Sequence, residues 1–282
     1  MNTAKTLATP LHSVARYVPG SPHFQPDAPT LASSLAAFSN SPEFNSALTG
    51  LSPKARCLVI GYSTPSNAQA LRQVLGEHAV TDPSIIVIDR LPIPEIYTEM
   101  GIEMPEIDFL QLDACNLGDA LEADSFDLIV QDFVLNCMPP AHAPALLQST
   151  RALLKPNGLS LISLSTDAKP IAAPAQPVEK AMSRWPDRWS GSVWSISDLA
   201  HSPEEYTEMA IQFLGRTLID EKTGHLVQVT SPTCQFEYFI PSREMDHLLQ
   251  QAGFKVIPAH VSHVVDYSGL ACTRHRLIAI PA

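Results

Sequence analysis

The sequence has 282 residues, 45% of them apolar, which is enough for one large domain or two small ones around a substantial buried core. Its 18 Lys and Arg residues stand against 29 Asp and Glu residues, so the formal net charge is −11. Because an acidic surface repels nucleic-acid phosphates and anionic lipid headgroups, we expect neither nucleic acid nor a membrane as a partner.

The cysteines indicate a reducing compartment. They are odd in number, widely spaced and without a C-x-x-C pair: Cys57, Cys115, Cys137, Cys234 and Cys272. Such a set fits reduced thiols better than a disulfide scaffold or a zinc site, and no metal is expected. Residues 1–20 contain neither a basic segment followed by an apolar one nor a long apolar run. We therefore expect a cytoplasmic protein.

Residues 1–52 form a Pro- and Ser-rich lead-in to the rest of the chain. Helical patterns are present at 30–38 and 41–48, and Ser41 followed by Pro42 is a plausible helix start. This segment is expected to be helical and to help cap a binding site.

The next part of the chain contains short apolar runs, most of which end in a carboxylate. The first run, 57–60, ends in Gly61 and passes through a loop into a helical pattern. The other runs and the residues that close them are 84–88 with Asp89, 108–112 with Asp113, and 128–130 with Asp132. Continuous apolar runs predict strands that helices cover on both faces of a parallel sheet, an α/β fold.

The segment 126–164 also contains a strand, a loop, a helix and a second strand. Residues 126–130 predict a buried strand, the loop ends at Pro139 and Pro140, and a helical pattern continues to residue 154. Residues 155–158 supply the stop before another buried strand at 159–164. Strand, helix and strand units of this kind build an open parallel sheet with a ligand crevice at its carboxyl edge.

An insertion then interrupts the pattern at about residues 166–240. It contains an Ala- and Pro-rich stretch, three tryptophans, a helical stretch at 203–214 and a pair of strands at 225–230 and 235–239. We expect it to cover the sheet edge. After it, the pattern predicts a helix at 241–252 and strands at 254–257 and 276–280.

The order of these pieces resembles the class I S-adenosylmethionine (AdoMet)-dependent methyltransferases over roughly residues 53–282. The matching features are the Gly61 loop, Asp89, Asp113-Ala114, Phe126-Asp-Leu-Ile-Val130, Arg151-x-Leu-Leu-Lys-Pro-x-Gly158 and Leu248-Leu-Gln-Gln-Ala-Gly-Phe254. The resemblance implies a Rossmann-like sheet of seven mostly parallel strands, with an antiparallel final strand. It also implies AdoMet bound across the carboxyl ends of the first strands, in a domain spanning 53–282.

Carboxylates at strand ends suit a nucleoside. Asp89 could accept both ribose hydroxyls and Asp113 an adenine amino hydrogen, although each could instead be a turn or helix-cap aspartate. The expected cofactor-binding residues are Gly61, Ser63, Asp89, Arg90, Asp113, Ala114, Asp132 and Phe133.

The glycine loop departs from the family pattern. Val59, Gly61, Ser63 and Pro65 stand where the family usually has an acidic residue and three spaced glycines. A pyrophosphate needs several amide donors, and Pro65 has none, so a nicotinamide-dependent reductase fits less well than an AdoMet enzyme. A methyltransferase-like protein without methyl transfer activity is the second alternative.

The acceptor side has several candidate residues. Asn136 and Cys137 follow the fourth strand and could face the reacting centre, or could be ordinary loop packing. Tyr17, Trp185, Trp189 and Trp194 could stack a flat or apolar acceptor, or could form a small separate core. His142 is the candidate general base, needed only if the acceptor carries a proton with a high pKa.

Together these features predict an AdoMet-dependent methyltransferase acting on a small molecule. Oxygen, nitrogen, sulfur and carbon acceptors all stay open, since a fold does not fix the chemistry. The oligomeric state is likewise open between a monomer and a homodimer.

Overall fold

Seven strands form the central sheet of the computed structural model, which describes residues 30–61, 66–99, 101, 103, 107–230, 235–265 and 270–282. Numbered along the chain, the strands are β1 (Arg56–Ile60), β2 (Ser84–Asp89), β3 (Asp108–Gln111), β4 (Phe126–Asp132), β5 (Leu154–Pro170), β10 (Phe254–Val265) and β11 (Leu270–Pro281). Two of the predicted site residues, Tyr17 and Ser63, lie outside the described residues.

The strand order across the sheet is β3, β2, β1, β4, β5, β11, β10. Strands β1 to β5 run parallel, whereas β11 runs antiparallel to both of its neighbours. This arrangement confirms the predicted sheet of mostly parallel strands with an antiparallel final strand. The order reverses between β1 and β4, which is where open α/β sheets form a ligand crevice at the carboxyl ends of their strands.

Helices cover both faces of this sheet, as predicted. One face carries α1 (Thr30–Ser39), α2 (Pro42–Thr49), α3 (Ser66–Glu77) and α4 (Ile93–Glu99). The other face carries the 3-10 helix Ala114–Asp119, α5 (Ala143–Leu153) and α9 (Ser242–Gln251). The first two helices share their buried apolar side chains with the sheet, so the described part of the lead-in belongs to the main core.

The insertion forms a second, smaller sheet. Its strands are β6 (Gln176–Pro177), β7 (Thr217–Ile219), β8 (Leu226–Thr230) and β9 (Gln235–Phe239), adjacent in that order. Helices α6 (Val178–Ala181), α7 (Ile196–Leu199) and α8 (Pro203–Phe213) pack on it around a separate apolar core. We call this unit the cap. In the parts of the chain that the structure describes, no helix combines the length and apolar character needed to cross a bilayer.

Three strands are longer than the sequence predicts. The apolar runs at 159–164, 254–257 and 276–280 lie within β5, β10 and β11, which continue for several residues beyond them. The extensions pair antiparallel with one another outside the doubly covered part of the sheet. These extensions contain many polar side chains, so a search for continuous apolar runs detects only the buried parts of the three strands.

Candidate active site

The strand registers place a row of polar side chains at the carboxyl edge of the sheet. The row consists of Asp89 after β2, Asp132 at the end of β4, Ser163 on β5 and Arg276 on β11, with Gly61 between the two aspartates. Neighbouring positions of a sheet direct their side chains to the same face. This face is the one that α1 covers.

Gly61 occupies a position that only glycine fits. Its φ is +76°, in the left-handed region, and a Cβ built there would lie 2.8 Å from Val134 Cγ2. The Gly61 amide donates to Ile88 O at 3.0 Å, which holds the end of β1 against β2. The end of β1 at Gly61 is thus in close contact with the loop after β4.

Asp89 and Asp113 both make the local bonds expected of turn and cap residues. Asp89 Oδ1 accepts from the Leu91 amide at 2.8 Å, and Asp113 Oδ1 accepts from the Cys115 amide at 2.9 Å. Asp113 is exposed, and Asp89 is half-buried. A carboxylate has two oxygens and about four acceptor sites, so a turn or cap role does not exclude a ligand at the same carboxylate.

Three residues that were predicted for different roles lie together beside these carboxylates. They are Arg90 for the cofactor, His142 as the general base and Trp194 for the acceptor. The Arg90 guanidinium lies 4.8 Å from the centre of the Trp194 ring, and the His142 ring lies 5.2 Å from the same ring. Arg90 Nη1 also lies 3.6 Å from Asp198 Oδ1 of the cap. The structure therefore places Trp194 between the central sheet and the cap, rather than in the core of the cap.

Ala114 and Cys115 lie in the 3-10 helix beside this cluster. Both pack against the core of the second sheet face, and Cys115 Sγ is 3.9 Å from His142 Nδ1. Burial raises the pKa of the Cys115 thiol to about 12. It therefore stays protonated near neutral pH and is a poor nucleophile.

Asp132 is the most unusual group in the row. Its Oδ1 is closed off from solvent and has no hydrogen-bond partner among the described residues. Burial raises the pKa of this carboxyl above its ordinary value. The rise is partly opposed by nearby hydroxyls and guanidiniums, those of Ser34, Ser163, Arg276 and Arg274.

This raised pKa predicts a pH-dependent stability. A folded-state pKa above the unfolded value means that the native state binds the proton more tightly, so the stabilisation is full below the unfolded pKa and is lost as pH rises through the folded one. The loss is about 1.4 kcal/mol for each pH unit between the two values. Urea unfolding between pH 4 and 8 should show it in the native protein and not in Asp132→Asn. Parallel pH profiles for the two proteins would contradict this account.

Phe133 has a left-handed backbone, with a φ of 57°. Its ring lies under two guanidiniums, with Cζ of Arg276 4.9 Å and Cζ of Arg274 5.6 Å from its centre. These two arginines were not predicted. Two arginines spaced two apart in the final strand were a usable signal, because that spacing puts both on one sheet face.

The side-chain amide of Asn136 bonds to two distant parts of the chain. Its amide nitrogen donates to Ser165 O and to Tyr238 O, and its amide oxygen accepts from Ser165 N, each at 2.8 Å. It thereby joins the loop after β4 to β5 and to β9 of the cap. Its neighbour Cys137 accepts a bond from Gln235 through its backbone oxygen, and burial raises the pKa of the Cys137 thiol well above its usual range.

Replacing Asn136 with alanine is expected to lower the free energy of unfolding by about 3 kcal/mol or more. The change leaves three buried backbone groups without partners, and each costs about 1–3 kcal/mol. Urea unfolding followed by circular dichroism measures the effect. The matched control is Asn116→Ala at an exposed position, which should change stability by no more than about 0.5 kcal/mol. Equal stabilities of the two variants would contradict the structural role.

Trp185 and Trp189 lie in the core of the cap. The Trp185 ring is 5.9 Å from that of Phe213, and the Trp189 ring is 5.0 Å from that of Phe236. Both belong to the apolar cluster of the cap. These two rings therefore form the small separate core that the sequence left open as the alternative to stacking of an acceptor. They lie apart from Trp194.

The groups at the edge fit the nucleoside and amino-acid parts of AdoMet. Two carboxylates that can accept from hydroxyl and amino groups lie at the end of β2 and after β3. At the end of β4, Asp132 Oδ1 has no partner within the described part of the chain. At Gly61 a side chain would collide with Val134 in the loop after β4, so the end of β1 lies close to that loop. Among the described residues, no group of three or more His, Cys, Asp or Glu side chains is arranged to hold a metal ion.

Several solved structures resemble the chain at low sequence identity. Solved structures that resemble it include a SAM-dependent methyltransferase from Methanosarcina mazei (15% identity, TM-score 0.48, covering 85% of this chain and 97% of that chain). Another is a 1,6-didemethyltoxoflavin-N1-methyltransferase from Burkholderia thailandensis (14% identity, TM-score 0.42, covering 90% and 88%). These likenesses are too distant to support an argument about function.

The family match is more extensive. Residues 35–259 match the family model described as a methyltransferase domain. No curated protein matches the sequence significantly. Because the family match spans most of the chain, the protein belongs to the methyltransferase family, which confirms the class I AdoMet-dependent methyltransferase predicted from the sequence.

Proposed function

We propose that the protein transfers a methyl group from AdoMet to a small-molecule acceptor. The observation that carries the proposal is the carboxyl edge of the sheet in a chain of the methyltransferase family. There Asp89 ends β2, Asp113 follows β3 and Asp132 ends β4, with β1 lying between β2 and β4. Fold alone does not fix the chemistry, but this arrangement of acceptors suits a nucleoside bound across the strand ends.

The residues of the chain would divide the work as follows. Asp89 would accept from the ribose and Asp113 from the adenine, while Gly61 lets the end of β1 pack closely against Val134 in the loop after β4. AdoMet, when bound, supplies a methyl group activated by a sulfonium. Since the transfer is an in-line displacement, the main tasks of the protein are to hold the two reactants together and to exclude water.

A small acceptor is supported by the position of the cap. The cap meets the carboxyl edge at Trp194 and again through Tyr238 and Gln235, which bond to the loop after β4. A sheet edge that the cap covers suits a ligand that is small enough to be enclosed. The formal charge of −11 disfavours nucleic acid as the acceptor, and the four cysteines that the structure describes are free thiols, which suits a reducing compartment such as the cytoplasm.

Two residues are candidate bases for an acceptor that must lose a proton. His142 lies on the Trp194 side of the edge, and Asp132 lies in the polar row. We favour Asp132, because a carboxyl with a raised pKa accepts a proton near neutral pH more readily than an ordinary one. Acceptors without such a proton would need neither group.

The test is direct binding followed by turnover. Isothermal titration of the purified protein with AdoMet and with S-adenosylhomocysteine should give saturable heat at a stoichiometry of one. Incubation with AdoMet carrying a labelled methyl group and a panel of small acceptors should then give a labelled product detectable by mass spectrometry. Folded protein that binds neither nucleoside would overturn the proposal, as would binding of NADH in their place.

A further inference from the structure

We infer that Arg274 and Arg276 form a carboxylate-binding site beside the reacting centre, an inference that rests on the proposed function. Both arginines lie on β11, two residues apart, and they pair with Ser165 and Ser163 of β5. They therefore project from the same sheet face as Asp132. His275 between them points to the opposite face, where its Nε2 lies 3.0 Å from Thr166 Oγ1.

Both guanidiniums contain buried donors that the described chain does not use. Arg276 is only 6% exposed, and its Nε has no hydrogen-bond partner in the part of the chain that the structure describes. Arg274 Nε is likewise buried without a partner. One bond of Arg276 is made locally, from Nη1 to the His275 carbonyl at 3.3 Å. Because an unpaired buried donor is costly, such groups at a binding edge indicate a missing acceptor.

The charges in this cluster do not balance. Asp132 is the acidic group that faces the two arginines, and no Asp or Glu among the described residues forms an ion pair with either of them. Within the described part of the chain two guanidiniums face one carboxyl, so the cluster keeps an excess of positive charge whether Asp132 is ionised or protonated. A bound anion would reduce this excess. The flat guanidinium also matches the two oxygens of a carboxylate.

Phe133 gives the site a shape. Its ring contacts both guanidiniums, and its left-handed backbone is a conformation that a bulky residue adopts only when its surroundings impose it. The Phe133 ring restricts the positions of the two guanidiniums and holds them on the same sheet face as the polar row. The site is thus held in place from the loop after β4, next to the carboxyl edge.

The carboxylate can come from two sources in a methyltransferase. One is the amino-acid end of the methyl donor, and the other is the acceptor. Four proteins and four probes separate these sources. The proteins are the native chain, Arg276→Gln, Arg274→Gln and, as a matched control, Arg243→Gln at an exposed position of α9. The probes are S-adenosylhomocysteine, 5′-methylthioadenosine, which lacks the amino-acid end, benzoate, and its neutral analogue benzamide.

If the site holds the donor, Arg276→Gln should weaken binding of S-adenosylhomocysteine about 10- to 100-fold in titration calorimetry and leave 5′-methylthioadenosine unchanged. If it holds the acceptor, S-adenosylhomocysteine should bind both proteins equally. Benzoate should then raise the melting temperature of the native complex and not that of the variant, with benzamide inactive on both. Either pattern supports a carboxylate site, and Arg243→Gln should behave as the native chain.

The inference is overturned if folded Arg276→Gln and Arg274→Gln bind S-adenosylhomocysteine as the native chain does and benzoate has no saturable effect on any of the proteins. Because Arg276 is buried and its replacement could unfold the chain, Arg274→Gln is the second variant, and circular dichroism checks both. If both variants unfold, the native chain alone provides the test. The inference is then overturned if benzoate and benzamide change the melting temperature of the native complex equally, and if S-adenosylhomocysteine and 5′-methylthioadenosine bind with equal affinities. Failure of the native chain to bind any nucleoside would instead be a failure of the proposed function.

Discussion

Replacing Asp89 with alanine is expected to weaken binding of AdoMet about 10- to 100-fold while the protein stays folded. In the proposed site this carboxylate accepts from the ribose, and a hydrogen bond to a charged group contributes about 1.5–3 kcal/mol, which corresponds to that change in affinity. Titration calorimetry with AdoMet and with S-adenosylhomocysteine measures the loss directly.

The matched control must separate ligand binding from turn stability. Asp89 Oδ1 also accepts from the Leu91 amide at 2.8 Å, and alanine removes that bond as well. Asp89→Asn retains an amide oxygen for the Leu91 bond and removes the charge, so it should preserve thermal stability better than alanine but still lose affinity. Native affinity in a folded Asp89→Ala protein would remove the main support for the proposed nucleoside site.

The contact between the cap and the sheet depends more on an aromatic ring than on charge. Arg90 and Asp198 are each about one-third exposed, at 34% and 28% of their side chains, and exposed ion pairs contribute about 0–1 kcal/mol. Trp194 has the Arg90 guanidinium on one side and the His142 ring on another. It therefore contributes both buried area and directional contacts with cation and ring at the joint between cap and sheet.

The sheet could be predicted from the sequence because its central strands are covered on both faces. The runs at 57–60, 84–88 and 128–130 lie within β1, β2 and β4, whose side chains pack into helices on either side. Burial on both faces requires apolar residues in sequence, so the pattern is strong and local. The start of α2 was equally local, because Ser41 Oγ accepts from the Phe44 amide as a helix cap does.

The roles of individual side chains were less predictable, because they depend on contacts between distant parts of the chain. The three tryptophans look alike in sequence, yet Trp185 and Trp189 pack inside the cap and Trp194 packs at its joint with the sheet. Asn136 is held by residues about 30 and 100 positions away, Ser165 and Tyr238. Spacing within a short segment carries no information about such partners.

Replacing Gly61 with alanine is expected to lower the free energy of unfolding by about 2–5 kcal/mol. A left-handed backbone costs an alanine about 1–2 kcal/mol, and the new Cβ would lie 2.8 Å from Val134 Cγ2, an overlap whose relief costs a further 1–3 kcal/mol or so. Urea unfolding measures the sum. As a control, Gly76→Ala in α3 introduces a Cβ with nothing within 4 Å and should stabilise the protein by about 0.5–1 kcal/mol.

A double-mutant cycle separates the two causes at Gly61. Val134→Ala removes the methyl group that the new Cβ would meet, so Gly61→Ala should cost less in that background by about the overlap energy, roughly 1–3 kcal/mol. What is left is the backbone cost alone. Strict additivity would mean that the loops after β1 and β4 move apart freely, and the close contact that shapes the proposed cofactor site would then be energetically unimportant.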